Sequence, residues 1–240
     1  MTFCDDYNKW ALEIADSFQD KIKGEMVRRI PQQLTQDCNP NKSVLVVGMN
    51  PSFNAEWIAK DIGKDEDEVH SLFSLNTNDR DNRLEEIRDF EKSAFKNHLY
   101  FKRVRDLSIE CGFEDNWNHL DLFIMRETSQ KEALKSVGYK EFKEDESKKI
   151  NDLNEYGECQ RKLFEYALCE LNPKIIIVAN TAAAIIVSHY YNKDEMNSSF
   201  VLNGNIKNTP RVFLSGMLGG QRALDRFSRL RLIKEVKEHL

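Results

Sequence analysis

The sequence predicts an α/β fold, with three α/β/α layers around a central, mostly parallel four-stranded sheet. Four short apolar runs have the length and composition of buried strands, and longer segments with helical spacing separate them. The chain has 240 residues, of which 40% are hydrophobic, which is enough for one sizeable core. We therefore expect a single domain over 1–240, with 1–42 as an N-terminal helical extension packed on it.

Each element is assigned from its periodicity and its end signals. Apolar side chains every four residues indicate amphipathic helices, unbroken Val and Ile runs indicate strands, and Gly, Pro and Asn clusters mark ends. The long polar connection after the second strand is expected to be mobile or partly helical and able to form a lid. In chain order, the predicted elements are a helix at 5–30, a strand at 44–47, a helix at 56–69, a helix at 84–111 that bends near His98, a strand at 119–125, the connection at 127–154, a helix at 155–171, a strand at 174–179, a helix capped by Thr181, a strand at 211–214 and a helix at 221–240.

Charge is distributed unevenly along the chain. The net charge of -5 does not suggest nucleic-acid binding, but the segment 211–240 carries seven basic and three acidic side chains, a local excess of +4. A basic face on an acidic protein can bind phosphates in a salt-sensitive way, and a solvated helix face is the other interpretation.

Cysteine spacing and hydropathy narrow the class of protein. The five cysteines have no CxxC spacing, so we expect neither a disulfide framework nor a metal centre, and no cofactor. No secretory pattern or membrane-length apolar run is present, which predicts a soluble, cytoplasmic protein without membrane contact. The histidines lack triad or metal spacing and are interpreted as surface or core residues: His70, His98, His119, His189 and His239.

The most informative segment is the loop after the first strand, Gly48-Met49-Asn50-Pro51-Ser52. In open α/β sheets, ligands bind at the loops that leave the carboxyl ends of strands. Gly48 allows a tight turn and Pro51 stiffens the loop. The carboxamide of Asn50 can orient a water molecule or a substrate edge but cannot act as a strong base. The alternative is an ordinary turn in which Asn50 bonds its own backbone.

This loop resembles the first motif of the uracil-DNA glycosylase superfamily, particularly its single-strand-selective and mismatch-specific branches, which read Gly-x-Asn-Pro-Gly. The resemblance extends from about Val44 to Leu240 as a pattern of strands and loops. It implies hydrolysis of the N-glycosidic bond of uracil or another deaminated or damaged base in DNA, as in base-excision repair. Three further segments follow in the family's order: 120–126, 171–178 and 212–220.

The resemblance also implies roles for individual residues. Asn50 would hold the attacking water, and the backbone N–H of Met49, beside Gly48, would bond the base. The transition state places positive charge on the sugar and negative charge on the base, so charge stabilisation matters more than a strong nucleophile. The base must leave the stack for a tight pocket with an aromatic floor. Phe53 and Phe73 are candidates for that floor, although each is also a typical core residue.

Two positions depart from the family's pattern. Many members have an Asn at the end of the second strand to read the base, where this chain has Asp121. An ionised carboxylate only accepts hydrogen bonds, so it suits a base that presents donors, unless burial keeps it protonated. The alternative is that Asp121 pairs with Arg126 or caps a neighbouring segment. The second departure is the final loop, which lacks the His that many members use to stabilise the leaving base.

The final loop reads Ser215-Gly216-Met217-Leu218-Gly219-Gly220-Gln221-Arg222. Its glycine N–H groups can form an anion-binding nest, and Arg222 and Arg226 can meet DNA phosphates. Met217 or Leu218 can wedge into the gap left by an extruded nucleotide. A plain strand-to-helix turn is the alternative. Strand-end geometry predicts that this loop surrounds one cleft together with Asn50, Asp121, Arg126, Thr181 and a base-contacting Asn180.

Three functions stay open at this stage. The first is a monomeric DNA glycosylase-like enzyme that acts on single-stranded or mismatched DNA. The second is a non-catalytic nucleic-acid or nucleotide-binding module on the same fold, which the missing His and the acidic balance favour. The third is a small-molecule enzyme on the same scaffold, without a DNA-sized basic groove.

Overall fold

A computed structural model describes residues 2–35, 38, 40, 42–76, 79–139, 152–192, 197–202, 206–219 and 223–240. The chain forms two compact units. The first comprises Met1–Thr35, Asn50–Lys92 and Phe123–Glu165, and the second comprises Gln36–Met49, Ser93–Leu122 and Tyr166–Leu240. None of the helices in the described part of the chain has the length and apolar character needed to cross a bilayer.

The second unit is built on a five-stranded sheet with the order β2-β1-β3-β5-β4. The strands are β1 Val44–Gly48, β2 Trp117–Asp121, β3 Ile175–Ala179, β4 Ser199–Val201 and β5 Arg211–Ser215. All neighbouring pairs are parallel except β4 with β5. The predicted α/β fold with a mostly parallel sheet is confirmed, but the sheet has five strands rather than four. The missed strand β4 is a three-residue, partly exposed edge strand, so it lacks the apolar run that marks the others.

Both faces of the sheet are buried, as a three-layer arrangement requires. The helices of this unit are α5 Leu99–Cys111, α8 Thr181–Tyr191 and α9 Arg226–Lys237. Alternate strand residues, such as Val46 and Ile177, share a core with side chains of α5 and α9, such as Val104 and Ile233. The intervening strand residues are buried as well: Leu45, Val47, Ile176 and Val178. This two-sided burial explains why the strands read as unbroken apolar runs.

The first unit is mainly helical. It contains α1 Phe3–Phe18, α2 Ala55–Ile62, α3 Glu66–Phe73, α6 Gln130–Ser136 and a 3₁₀ turn at Glu25–Arg28. Two further helices, α4 Arg80–Asn97 and α7 Glu155–Leu171, have residues in both units.

Several predicted helix bounds were wrong for local reasons. The helix predicted at 5–30 ends at Phe18, and the chain then turns through Gly24 at a φ of 135°. The helix predicted at 56–69 is two helices, because Gly63 ends α2 in the left-handed region and Asp65 caps α3. The bend predicted near His98 is confirmed as a break between α4 and α5.

Two predicted segments of the second half also differ from the structure. The second strand ends at Asp121 rather than Met125, and the N–H of Leu122 donates to the carbonyl of Gly48 at 3.1 Å as the chain leaves the sheet. The connection predicted as a lid at 127–154 contains α6, and its residues 140–151 lie outside the described residues.

Candidate functional site

The carboxyl ends of four parallel strands share one edge of the sheet. The register pairs Gly48 at the end of β1 with Asp121 at the end of β2, and Ala179 at the end of β3 with Ser215 at the end of β5. The chain leaves β1 toward β2 on one side and leaves β3 toward β5 on the other. This is a topological switch point, where open α/β sheets bind ligands. The loops that begin at Met49 and Asn180 flank it.

Gly48 is required at this edge because the Asp121 side chain crosses it. A Cβ on Gly48 would lie 2.1 Å from Oδ1 of Asp121 and 3.2 Å from Nε2 of His119, closer than atoms can approach without displacement. The sequence argument gave Gly48 a turn-forming and ligand-contacting role. The structure adds that the residue makes room for a carboxylate of the same chain.

The buried side chains of Asp121 and His119 form a cluster with the half-buried Tyr100, which we name the Asp121 cluster. The Tyr100 hydroxyl and Nε2 of His119 are 3.2 Å apart, and Nε2 is 3.9 Å from Oδ1 of Asp121. The side chains of His119 and Asp121 are only 3% and 8% exposed. Burial lowers the pKa of His119 to about 3, so its imidazole is neutral at pH 7. Burial, with a smaller contribution from the Asp121 charge, raises the pKa of Tyr100.

The Arg103 side chain lies directly over the backbone of Gly219 in the final loop. A Cβ on Gly219 would lie 1.9 Å from Nη1 and 3.0 Å from Cζ of Arg103, so the guanidinium group rests on the final loop. Arg103 is half-buried, and within the described residues its guanidinium group forms no hydrogen bond or salt bridge. An unpaired guanidinium on a glycine-rich loop is suited to bind an anion.

The final loop contacts the start of α8. A Cβ on Gly216 would lie 3.8 Å from Oγ1 of Thr181 and 3.1 Å from Cδ2 of Leu224. Leu218 is buried in the core, so it is not available as a wedge in this structure, while Met217 and Ser215 are half-buried. Of the other predicted DNA contacts, Arg226 is exposed on α9. Gly220, Gln221 and Arg222 lie outside the described residues.

Asn180, and not Thr181, caps α8. Its Oδ1 accepts hydrogen bonds from the N–H groups of Ala182 at 2.9 Å and Ala183 at 3.2 Å. The oxygen of this predicted base-contacting residue is therefore engaged in capping, which leaves its NH₂ group as the part able to meet a ligand.

In the first unit, the Asn50 amide is fixed by the backbone. Its Nδ2 donates to the carbonyl of Glu127 at 2.6 Å, and to those of Pro51 at 3.2 Å and Met125 at 3.4 Å. Because carbonyls only accept, the nitrogen must face them, and Oδ1 is the atom left over. Within the described residues, Oδ1 accepts no hydrogen bond. Asn50 therefore bonds a distant segment of the chain as well as its own turn, and its Oδ1 is one oriented acceptor.

Phe53 and Phe73 pack together in the first unit, with ring centroids 5.5 Å apart. The Arg29 guanidinium lies 4.1 Å above the Phe53 ring, and that of Arg126 lies 4.8 Å from the Phe73 ring. Phe73 is fully buried and Phe53 is 7% exposed, so the packing favours the core interpretation of both. The salt-bridge partner of Arg126 is Glu91.

Three residues of the second unit escaped the sequence argument. His119 was set aside as isolated, although its position two residues before Asp121 in a strand places both side chains on one face. Tyr100 and Arg103 were not singled out, although they are three residues apart on one helix and therefore share a face. Their spacing was visible in the sequence, but their neighbours were not.

A scan against protein-family models finds no match to this chain, and a search of curated proteins finds none either.

Proposed function

We propose that this chain is a DNA glycosylase-like enzyme that hydrolyses the N-glycosidic bond of a deaminated or damaged base. The observation that carries the proposal is the Asn50 amide. Three backbone carbonyls restrain its nitrogen, and Oδ1 remains as an oriented acceptor within the described residues. An acceptor held in this way can align a water molecule without paying for reorganisation during the reaction.

In the proposed reaction, the water oxygen forms a bond to C1′ of the deoxyribose as the bond from C1′ to the base nitrogen breaks. The base leaves with the bonding electron pair, and a proton from the water neutralises it. Asn50 orients the water and does not remove its proton, because a carboxamide is too weak a base. The N–H of Met49, the preceding residue, is the proposed donor to the base.

The test is base release from single-stranded oligonucleotides that contain uracil, hypoxanthine or xanthine, followed by alkaline cleavage of the abasic product. Asn50→Ala should lower the single-turnover rate by about 100-fold, as expected for loss of a preorganised polar group. The matched control is Asn76→Ala, which removes an exposed amide of the same unit and should leave the rate unchanged. Unchanged product formation in Asn50→Ala would reject the role assigned to Asn50.

The second candidate function is a non-catalytic nucleic-acid-binding module. The Arg103 guanidinium on the final loop favours it, because within the described residues this cation has no salt bridge and can bind a phosphate without any chemical step. Salt-dependent DNA binding without product from any of the three substrates would select this candidate over the enzyme.

A further inference from the structure

The outward face of α9 carries the most exposed of the large hydrophobic side chains in the described chain. Phe227 is 77% exposed and Leu230 is 51% exposed. Leu230, Arg231 and Lys234 lie three, four and seven residues after Phe227, so the four residues form one stripe on the helix. We name these four residues, together with the adjacent exposed Arg226, the α9 stripe.

The helix α9, which carries the α9 stripe, is held in place by core packing and by a salt bridge. Its opposite face buries Leu232, Ile233 and Val236 in the core of the second unit. Arg229 donates from Nε and Nη2 to the two carboxylate oxygens of Glu110 on α5, each at 3.1 Å. Phe227 is therefore exposed on a rigid support and not on a fraying end.

The start of the helix is fixed as well. Oδ1 of Asp225 accepts from the N–H groups of Phe227 at 2.8 Å and Ser228 at 3.0 Å, and Oδ2 accepts from the Ser228 hydroxyl at 2.6 Å. These bonds lower the pKa of the Asp225 carboxyl, so the cap stays ionised at neutral pH. The backbone that carries the Phe227 ring is thereby held in place.

Two cations of the α9 stripe, Arg226 and Arg231, are exposed, and neither forms a salt bridge within the described residues. Arg231 interacts with the ionised cap Asp225 through charge only. Lys234 has only a long contact of 3.8 Å to Glu238. On a protein with a net charge of -5, an exposed aromatic ring near two exposed cations that form no salt bridge within the described residues departs from the overall charge balance.

We propose that the α9 stripe binds an unpaired segment of DNA, with a base stacked on Phe227 and the flanking phosphates on Arg226 and Arg231. An exposed ring between cations is the arrangement by which proteins hold single strands, because every base has a stacking face and every nucleotide a negative charge. Two apolar side chains among cations are too few to form the apolar centre of a protein interface. The inference rests on the proposed function for the choice of DNA as the polymer, and it adds a contact that takes no part in the hydrolysis.

The experiment measures fluorescence anisotropy of the full chain with a labelled, unmodified oligothymidylate, which has no altered base to release. Phe227→Ala should weaken binding by roughly tenfold, and Phe227→Trp should restore it, because stacking needs only a large ring. Leu99→Ala is the matched control, since Leu99 is 57% exposed on α5 and should not affect binding.

The charges are tested in the same assay. Arg226→Gln and Arg231→Gln should each reduce the slope of log affinity against log salt by about 0.7, the value for one phosphate contact on a single strand. Lys207→Gln, which removes an exposed cation elsewhere in the second unit, should leave the slope unchanged.

Three results would overturn the proposal. The first is that the wild-type chain does not bind the oligonucleotide, and the second is that Phe227→Ala binds it as well as wild type does. The third is that light scattering shows a wild-type dimer and a Phe227→Ala monomer, which would assign the α9 stripe to contact with a second copy of the chain. Asn50→Ala separates the two proposals, because it should lose base release and keep oligonucleotide binding. If no substrate releases a base but binding depends on Phe227, the proposed function fails and the α9 stripe stands.

Discussion

The Asn50 amide and the Asp121 cluster organise polar groups in opposite ways. Asn50 is neutral, and backbone carbonyls hold its nitrogen while one oxygen is left over. The Asp121 cluster contains three titratable side chains, of which His119 and Asp121 are buried over Gly48 and Tyr100 is half-buried beside His119. The geometry at Asn50 therefore depends on the identity of one hydrogen-bonding group. The Asp121 cluster depends instead on pH and on the absence of a Cβ atom at Gly48.

The largest expected effect comes from filling the space above Gly48. In Gly48→Ala the new Cβ would meet Oδ1 of Asp121 at 2.1 Å, so the free energy of unfolding in urea should fall by about 3 kcal/mol, as for severe overpacking. In an Asp121→Ala background the same substitution should cost less than about 1 kcal/mol, because the obstructing carboxylate is gone. Equal losses in both backgrounds would show that the carboxylate is not the obstacle.

Acid should weaken the Asp121 cluster. The pKa of His119 is about 3 in the folded protein and 6.5 in an unfolded chain, so below pH 6.5 protons bind the unfolded state preferentially and stability falls until about pH 3. Between pH 7.5 and pH 4.5, wild type should therefore lose about 3 kcal/mol more than His119→Gln. Urea unfolding at both pH values measures the difference. His239→Gln, at an exposed histidine, should show the wild-type profile.

The smallest expected effect, with the opposite pH dependence, is at Asn50. Asn50→Asp replaces the donor with a carboxylate oxygen that faces carbonyl oxygens, so stability at pH 7 should fall by about 1 kcal/mol. Acidification should recover part of this loss, because a protonated carboxyl group can donate. The check is urea unfolding at pH 7 and pH 4, with the exposed Asn76→Asp as the control. A loss that grows with acid would contradict the assigned hydrogen bonds.

The sheet was largely predictable because its strands are buried on both faces. Runs such as Val44–Val47 and Ile175–Val178 are readable from composition alone, since no polar residue interrupts them. The edge strand β4 was not readable, because half-buried strands of three residues resemble loops. The end of α5 was predicted correctly, because Gly112 is a strong signal for a helix C-terminus. The end of α1 was misplaced, because apolar residues continue at a spacing of four beyond Phe18, where the helix stops.

The candidate site was only partly predictable. The sequence singled out Asn50 and Gly48 because a polar loop after a buried strand is a local pattern. It did not single out Arg103, whose relation to Gly219 joins residues 116 positions apart. It also assigned Leu218 to a surface role, although the chain folds that side chain into the core.

The sequence by itself determined where the strands lie and which loops leave their carboxyl ends, because apolar periodicity and turn residues act over a few neighbours. Only the tertiary structure decided that Asp121 crosses Gly48, that Tyr100 meets His119, and that Phe227 is left exposed on an anchored helix. The physical reason is that burial and close approach depend on atoms brought together from distant parts of the chain. No local pattern specifies which of them will meet.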